Sequence, residues 1–235
     1  KYYIVIVFNI SGVGNSNILK TSGSKNHDGL SDKDKEELKR MEDVINSLKE
    51  KIVQETDPDK KAKLENQLDV INNALGSYTE GLKEKATLEG EIKDLKERIA
   101  STKDPSERSK LQKELAEKEK ELEKVNSSLD ATKKGIDAAS DLLQKREEKE
   151  QEIRELEDQL KNAGSSEERK EIQKKLDKAK GELNDINKAL DTITSGLENS
   201  LALKDQIKNE PDSAKRLELE NQLDVINNAL GSYTE

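Results

Sequence analysis

Histidines, cysteines and clustered carboxylates are the side chains that most often carry chemistry, and this chain offers few of them in a usable arrangement. Its one histidine, His27, lies in a Ser/Lys/Asn-rich stretch, and there is no cysteine. With no second histidine or thiolate beside it, His27 reads as a solvated linker residue rather than a zinc ligand or proton relay. The lack of cysteine also excludes disulfides and thiol catalysis. Carboxylates occur as neighbours in Glu147-Glu148 and Glu167-Glu168. Catalytic carboxylates need a sheltered pocket that shifts their pKa, which a charged helix surface does not provide.

Two metal or nucleotide readings fail on spacing. Asp32/Asp34 and Asp57/Asp59 have the D-x-D spacing of calcium ligands. They lack the glycine and closing glutamate of an EF-hand loop, and helix capping accounts for them. The run ISGVGNSN begins as G-x-G, but its sixth position is Asn17 and no apolar-periodic helix follows, so it reads as linker. The sequons at Asn9 and Asn126 carry no weight, since Asn126 falls mid-helix. No catalytic residue, cofactor or metal site is expected, and the chain does not read as an enzyme.

Composition points to what the elements are. Charged residues make up 40% of the chain, hydrophobic ones 31% and aromatic ones 2%. That is too little apolar volume for a wide globular core, and it suits a narrow apolar seam along long helices. The 42 basic and 51 acidic residues are interspersed without a sustained one-sign block. Nucleic acid is therefore not an expected partner. No apolar run approaches the roughly 20 residues that a membrane-spanning helix needs.

Two zones divide the chain. Residues 1–14 open with KYYIVIVFNI, in which Tyr2, Tyr3, Ile4, Val5, Ile6, Val7 and Phe8 form a strand-like apolar run. Both faces of such a strand want burial, so this run is a candidate assembly segment that adds to a sheet edge on another copy or another protein. A truncated secretory signal and a segment packed on a helix are the rival readings. Residues 15–30 read as a flexible Gly/Ser/Asn/Lys linker.

From Ser31 onward the pattern is helical. One heptad series runs through Leu68, Ile71, Leu75, Tyr78 and Leu82. A second takes in Leu111, Leu115, Leu122, Val125, Leu129, Ile136, Leu143, Ile153 and Leu160. A third takes in Ile172, Leu176, Ala179, Leu183, Ile186, Leu190, Ile193, Leu197 and Ile207. A 3.5-residue period keeps the seam on one side and suits antiparallel packing. Glu36/Arg40, Glu114/Lys118 and Glu150/Arg154 are expected as pairs four apart, each worth about 0.2–0.5 kcal/mol. Asp57-Pro58, Asp104-Pro105 and Ser165 to Glu168 mark helix starts, with Pro211 expected in the same first-turn role.

Between these starts lies a repeat. LENQLDVINNALGSYTE occurs twice without a change, at residues 64–80 and 219–235. Ile71-Asn72, Val125-Asn126 and Ile186-Asn187 align as drifted relatives, as do Gly81-Leu82, Gly135-Ile136 and Gly196-Leu197. The expected domains are therefore a partial helical repeat at 31–57, a three-helix unit at 58–210 (58–104, 105–165, 166–210), and the start of another repeat at 211–235. Three-helix units in series resemble the spectrin-type repeat in general plan. The glycines at the helix centres leave two readings, a continuous helix or a hairpin, and the unbroken heptads favour the continuous one.

The expected fold class is all-α: long antiparallel heptad-patterned helices in a three-helix-bundle or coiled-coil tandem repeat, plus the short N-terminal strand-like segment. The expected function is a structural helical-repeat protein, a spacer, stalk or filament subunit whose partners are other copies of itself or another protein. A surface or secreted adhesin-like binding module is one alternative, with Tyr78, Tyr233, Leu88, Leu95 and Leu156 as candidate contacts. An engineered repeat is another. The Lys1 start and the unfinished last repeat read as a processed or trimmed product.

Overall fold

The computed structural model describes residues 3–5, 20–22 and 30–234. It is all-helical in plan. Five helices follow one another: α1 Asp32–Gln54, α2 Pro58–Ser101, α3 Pro105–Asn162, α4 Ser166–Asn209 and α5 Ser213–Gly231, closed by a 3-10 turn at Ser232–Thr234. Outside them lie two three-residue strands, β1 Tyr3–Val5 and β2 Lys20–Ser22, in antiparallel register. So short a ladder does not carry the strand-like reading of residues 1–14, and most of that segment lies outside the described residues. His27 and the ISGVGNSN run lie outside them too.

Side-chain oxygens begin each helix. Asp57 accepts from the backbone N–H groups of Asp59 and Lys60, and Asp104 from those of Ser106 and Glu107, with Pro58 and Pro105 in the first turn. Ser165 accepts from Glu168 N–H at 3.1 Å, and the Glu168 carboxylate reaches back to Gly164 N–H at 3.0 Å. These contacts satisfy donors that the first turn leaves without partners. The last start differs from expectation. Asp212 is the cap of α5, accepting from Ala214 and Lys215, so Pro211 stands one residue outside the helix. A free aspartate oxygen next to the proline outcompetes the proline's own first-turn preference.

All four turns are short, so consecutive helices pair antiparallel, α1 along most of its length, since Glu37 in its second turn meets Tyr78 of α2. Longer contacts fix the remaining directions. Lys63 pairs with Asp191 at 2.7 Å and Ser77 with Lys204 at 3.3 Å, in the same chain order, so α2 and α4 run parallel. Lys124 bonds Glu220 at 2.6 Å, and Leu230 lies over Gly135, so α3 and α5 run parallel as well. All five helices meet around the middle of α3. From that junction two arms of two helices each extend in opposite directions. One joins the second half of α2 to the first half of α3, with Leu88, Ile92, Leu95 and Leu111 buried. The other joins α3 to α4 through Ile153, Leu156, Ala163, Ile172, Leu176 and Ala179, an apolar cluster separate from the central one. The backbone of α3, at 58 residues, is about 87 Å long.

Ion pairs join neighbouring helices as well as following single ones. Glu36–Arg40 forms as expected at 2.8 Å. Lys118 instead bonds Glu91 on α2 at 3.1 Å and Glu121 at 3.0 Å, leaving Glu114 aside. Glu150 pairs with Arg146 rather than Arg154, at 3.0 Å. Lys118 thus has one partner on the antiparallel neighbour and another one turn along its own helix.

The central glycines are contact points. All five helices pass through their centres unbroken. A methyl group added to Gly81 would stand 2.9 Å from Leu129, one on Gly135 2.8 Å from Leu197, and one on Gly196 3.0 Å from Leu230. Glycine there lets a leucine of a following helix reach the backbone, which explains its recurrence without a turn.

Candidate functional site

Where the five helices meet they do not close completely. They leave a central cleft of about 1300 Å³. Each helix lends it a face: Ile45 and Lys49 from α1, Tyr78 from α2, Leu129 from α3, Lys204 from α4 and Leu223 from α5.

Lys204 is its most exceptional group. The ammonium lies 3.3 Å from Ser77 Oγ and 3.4 Å from Thr132 Oγ1. Thr132 donates its own hydroxyl hydrogen to the Ser128 carbonyl at 2.8 Å, so toward Lys204 it can only accept. No carboxylate among the described residues forms an ion pair with Lys204. Burial lowers its pKa below the ordinary lysine value, and the charge of Glu84 opposes this more weakly.

Tyr78 walls the same space and is 4% exposed. Its phenol donates to Glu37 of α1 at 2.8 Å. Burial, and then the Glu37 hydrogen bond and charge, push its pKa well above the usual phenol range.

Two other polar groups are sealed in. Gln67 is 1% exposed, and neither amide atom has a partner within the protein. Arg146 is buried beside Glu150, with one guanidinium nitrogen unpartnered. Buried polar groups normally find partners, so each is a local cost to the fold. Thr79, Thr132 and Thr194 avoid that cost by donating to the carbonyl four residues back, at 2.8, 2.8 and 2.9 Å.

Chemically the cleft offers the buried Lys204 ammonium held against two hydroxyls, within a lining that also carries Lys39, Lys49, Lys124 and Lys208. Asp57 and Asp59 serve the α2 start, as the capping reading expected. Glu147 pairs with Lys51 at 3.0 Å and Glu168 closes its capping box, so the adjacent carboxylates are spent on the surface. Of the candidate contacts, Tyr78, Leu88, Leu95 and Leu156 are buried, which returns them to the seam. Tyr233, 44% exposed, is the one left at the surface. The side chains of Tyr2, Tyr3, Ile4, Val5, Ile6, Val7 and Phe8 lie outside the described residues.

Sequence reading missed Lys204 and Arg146, yet it held a signal for both. The second heptad series jumps from Leu143 to Ile153 and the third from Leu197 to Ile207. The vacant seam positions are Arg146 and Glu150 in the first gap, and Ser200 and Lys204 in the second. A polar residue on a sustained seam is a buried polar residue in waiting.

One protein family matches part of the chain: residues 79–132 fit the family described as Effector-associated domain 9. The match covers a minority of the chain, from the second half of α2 through the Asp104-Pro105 turn to the middle of α3. No curated protein and no solved structure matches.

Proposed function

We propose that this chain is a structural helical-repeat protein, a spacer or stalk segment that sets a distance between whatever is joined at its two ends. The observation that carries this reading is α3, one uninterrupted helix of 58 residues with a two-helix arm at either end of the central junction. The seams are filled by neighbouring helices, which leaves the arms with charged surfaces and no apolar groove of their own. The N-terminal run Tyr2 to Phe8 would supply attachment by adding a strand to another copy or another protein.

Small-angle scattering tests the reading. A compact domain of this length would have a radius of gyration near 18 Å. A spacer gives a clearly larger radius and a maximum dimension of about 87 Å or more. A compact value contradicts it.

A protein-binding module is the second reading, favoured by the match of residues 79–132 to a family whose description names association with effectors. Its binding surface would lie on the arm formed by α2 and α3. Pull-down with that arm's exposed Lys113 and Glu117 reversed in charge, against wild type, distinguishes the two readings.

A further inference from the structure

Apolar burial stops and restarts along the α3–α4 pair, although both helices run through without a break. On α3 the one buried side chain between Leu143 and Ile153 is Arg146, and on α4 no side chain between Ala179 and Leu190 is buried. The two gaps face each other. Lys149 of α3 bonds Glu182 of α4 at 2.6 Å, and the same antiparallel register sets Arg146 level with the Ile186-Asn187 pair. This is also the level at which the other helices stop. Lys51, in the last turn of α1, donates to the Leu143 carbonyl at 3.2 Å and pairs with Glu147 at 3.0 Å, and α2 does not begin until Pro58. Among the described residues, every side-chain polar atom that is buried without a partner falls near this level. Arg146 directs Nε to Glu150 at 3.0 Å and leaves Nη1 unbonded, and Asn187 leaves Oδ1 unbonded. Gln67, with neither amide atom bonded, stands one turn along α2 from Lys63, whose partner Asp191 is one turn along α4 from Asn187.

We propose that this polar layer is a breakable joint: the arm beyond it, residues 154–179, opens and closes as a unit of its own while the five-helix junction stays folded. The arm is held by a small cluster, Ile153, Leu156, Ala163, Ile172, Leu176 and Ala179, which shares no buried residue with the cluster of the junction. Opening the arm therefore uncovers its own cluster and leaves the other covered. Across the layer the apolar link is thin, with half-buried Ile186 packed on the junction side and half-buried Leu183 on the arm side. Arg146 and Asn187 bear an unmet bond while the arm is closed and regain water when it opens, so the layer itself favours opening. The ion pairs along the arm, such as Lys180–Glu157, are half exposed and add little. The opposite arm is the internal comparison. Its α3 seam stays apolar through the half-buried Leu115, Leu122 and Val125, and no buried side-chain polar atom of residues 82–125 lacks a partner. A joint of this kind goes beyond the spacer reading and does not require it.

Native-state hydrogen exchange of the full chain, read by mass spectrometry of its peptides, tests the joint. Peptides within residues 154–179 should exchange through an opening that leaves residues 129–143 and 190–203 protected, with protection roughly tenfold or more below theirs. Arg146→Leu combined with Glu150→Leu carries the apolar seam across the gap, and should raise the arm's protection by roughly tenfold. A second measurement touches no core residue. Spin labels on Glu155→Cys and Lys178→Cys, both exposed and across from each other in the arm, should lose their short distance in rising urea before most of the helical signal is lost. Should the double variant fail to fold, this labelled pair still decides. Three outcomes would overturn the proposal: arm peptides exchanging in step with the junction, labels separating only with the whole helical signal, or a folded double variant whose arm is no better protected. Scattering from the wild type reports its length with the arm closed, so failure here is distinct from failure of the spacer reading.

Discussion

Gly81 and Leu129 meet across α2 and α3 so closely that a methyl group on the glycine would stand 2.9 Å from the leucine side chain. Gly135 is tighter still, facing Leu197 at 2.8 Å and Leu230 at 3.3 Å, both 1% exposed. Gly135→Ala should therefore lower stability despite the gain in helix propensity. Gly90 has nothing within 4 Å, so Gly90→Ala should stabilise by about 0.5–1 kcal/mol. Urea denaturation of the two variants checks the opposite signs.

Much of this architecture was legible in the sequence. Helix starts at Pro58, Pro105 and Ser166 announced themselves through capping chemistry, which is local and needs no tertiary partner. The heptad seam was legible too, and none of its members is exposed. What stayed hidden depends on neighbours. Val70 and Val225 have identical sequence surroundings over seventeen residues, and their burial differs because different helices stand beside them. The cleft likewise arises from five helices meeting, with Lys49 and Lys204 far apart in the chain.

Lys204 supplies a second prediction. Replacing it by Met keeps the packed stem and removes a poorly partnered ammonium, so Lys204→Met should stabilise by about 1 kcal/mol at neutral pH. The folded pKa is lowered, so the native state binds the proton less tightly than the unfolded chain. The cost is therefore fully present below the folded value and vanishes above the unfolded one. The advantage of Lys204→Met should shrink as pH rises toward the ordinary lysine range, measured by denaturation at several pH values.

Tyr78 gives the opposite slope. Its folded pKa is raised, so the stability it contributes is present below the ordinary phenol value and is lost as pH rises through the folded one. Tyr78→Phe removes the bond to Glu37 and should cost about 1 kcal/mol at neutral pH. Alkaline thermal melts should show wild type losing stability more steeply than Tyr78→Phe.

The duplicated segment predicts unequal costs for one substitution, since Val70 is 5% exposed and Val225 68%. Val70→Ala empties space in the core and should destabilise by about 1–3 kcal/mol. Val225→Ala at the exposed counterpart should stay within about 0.5 kcal/mol in dilute solution. Equal costs would mean that α5 is packed as α2 is.

The central claim is that each long element is one unbroken helix, so that the molecule is a rod. The most direct test is the distance between spin labels on Lys113→Cys and Lys145→Cys, both on the exposed face of α3 in a chain with no other cysteine. A continuous helix predicts a narrow distribution near 48 Å. A distribution centred below about 25 Å would mean that α3 folds back at its centre as a hairpin, and would contradict the account.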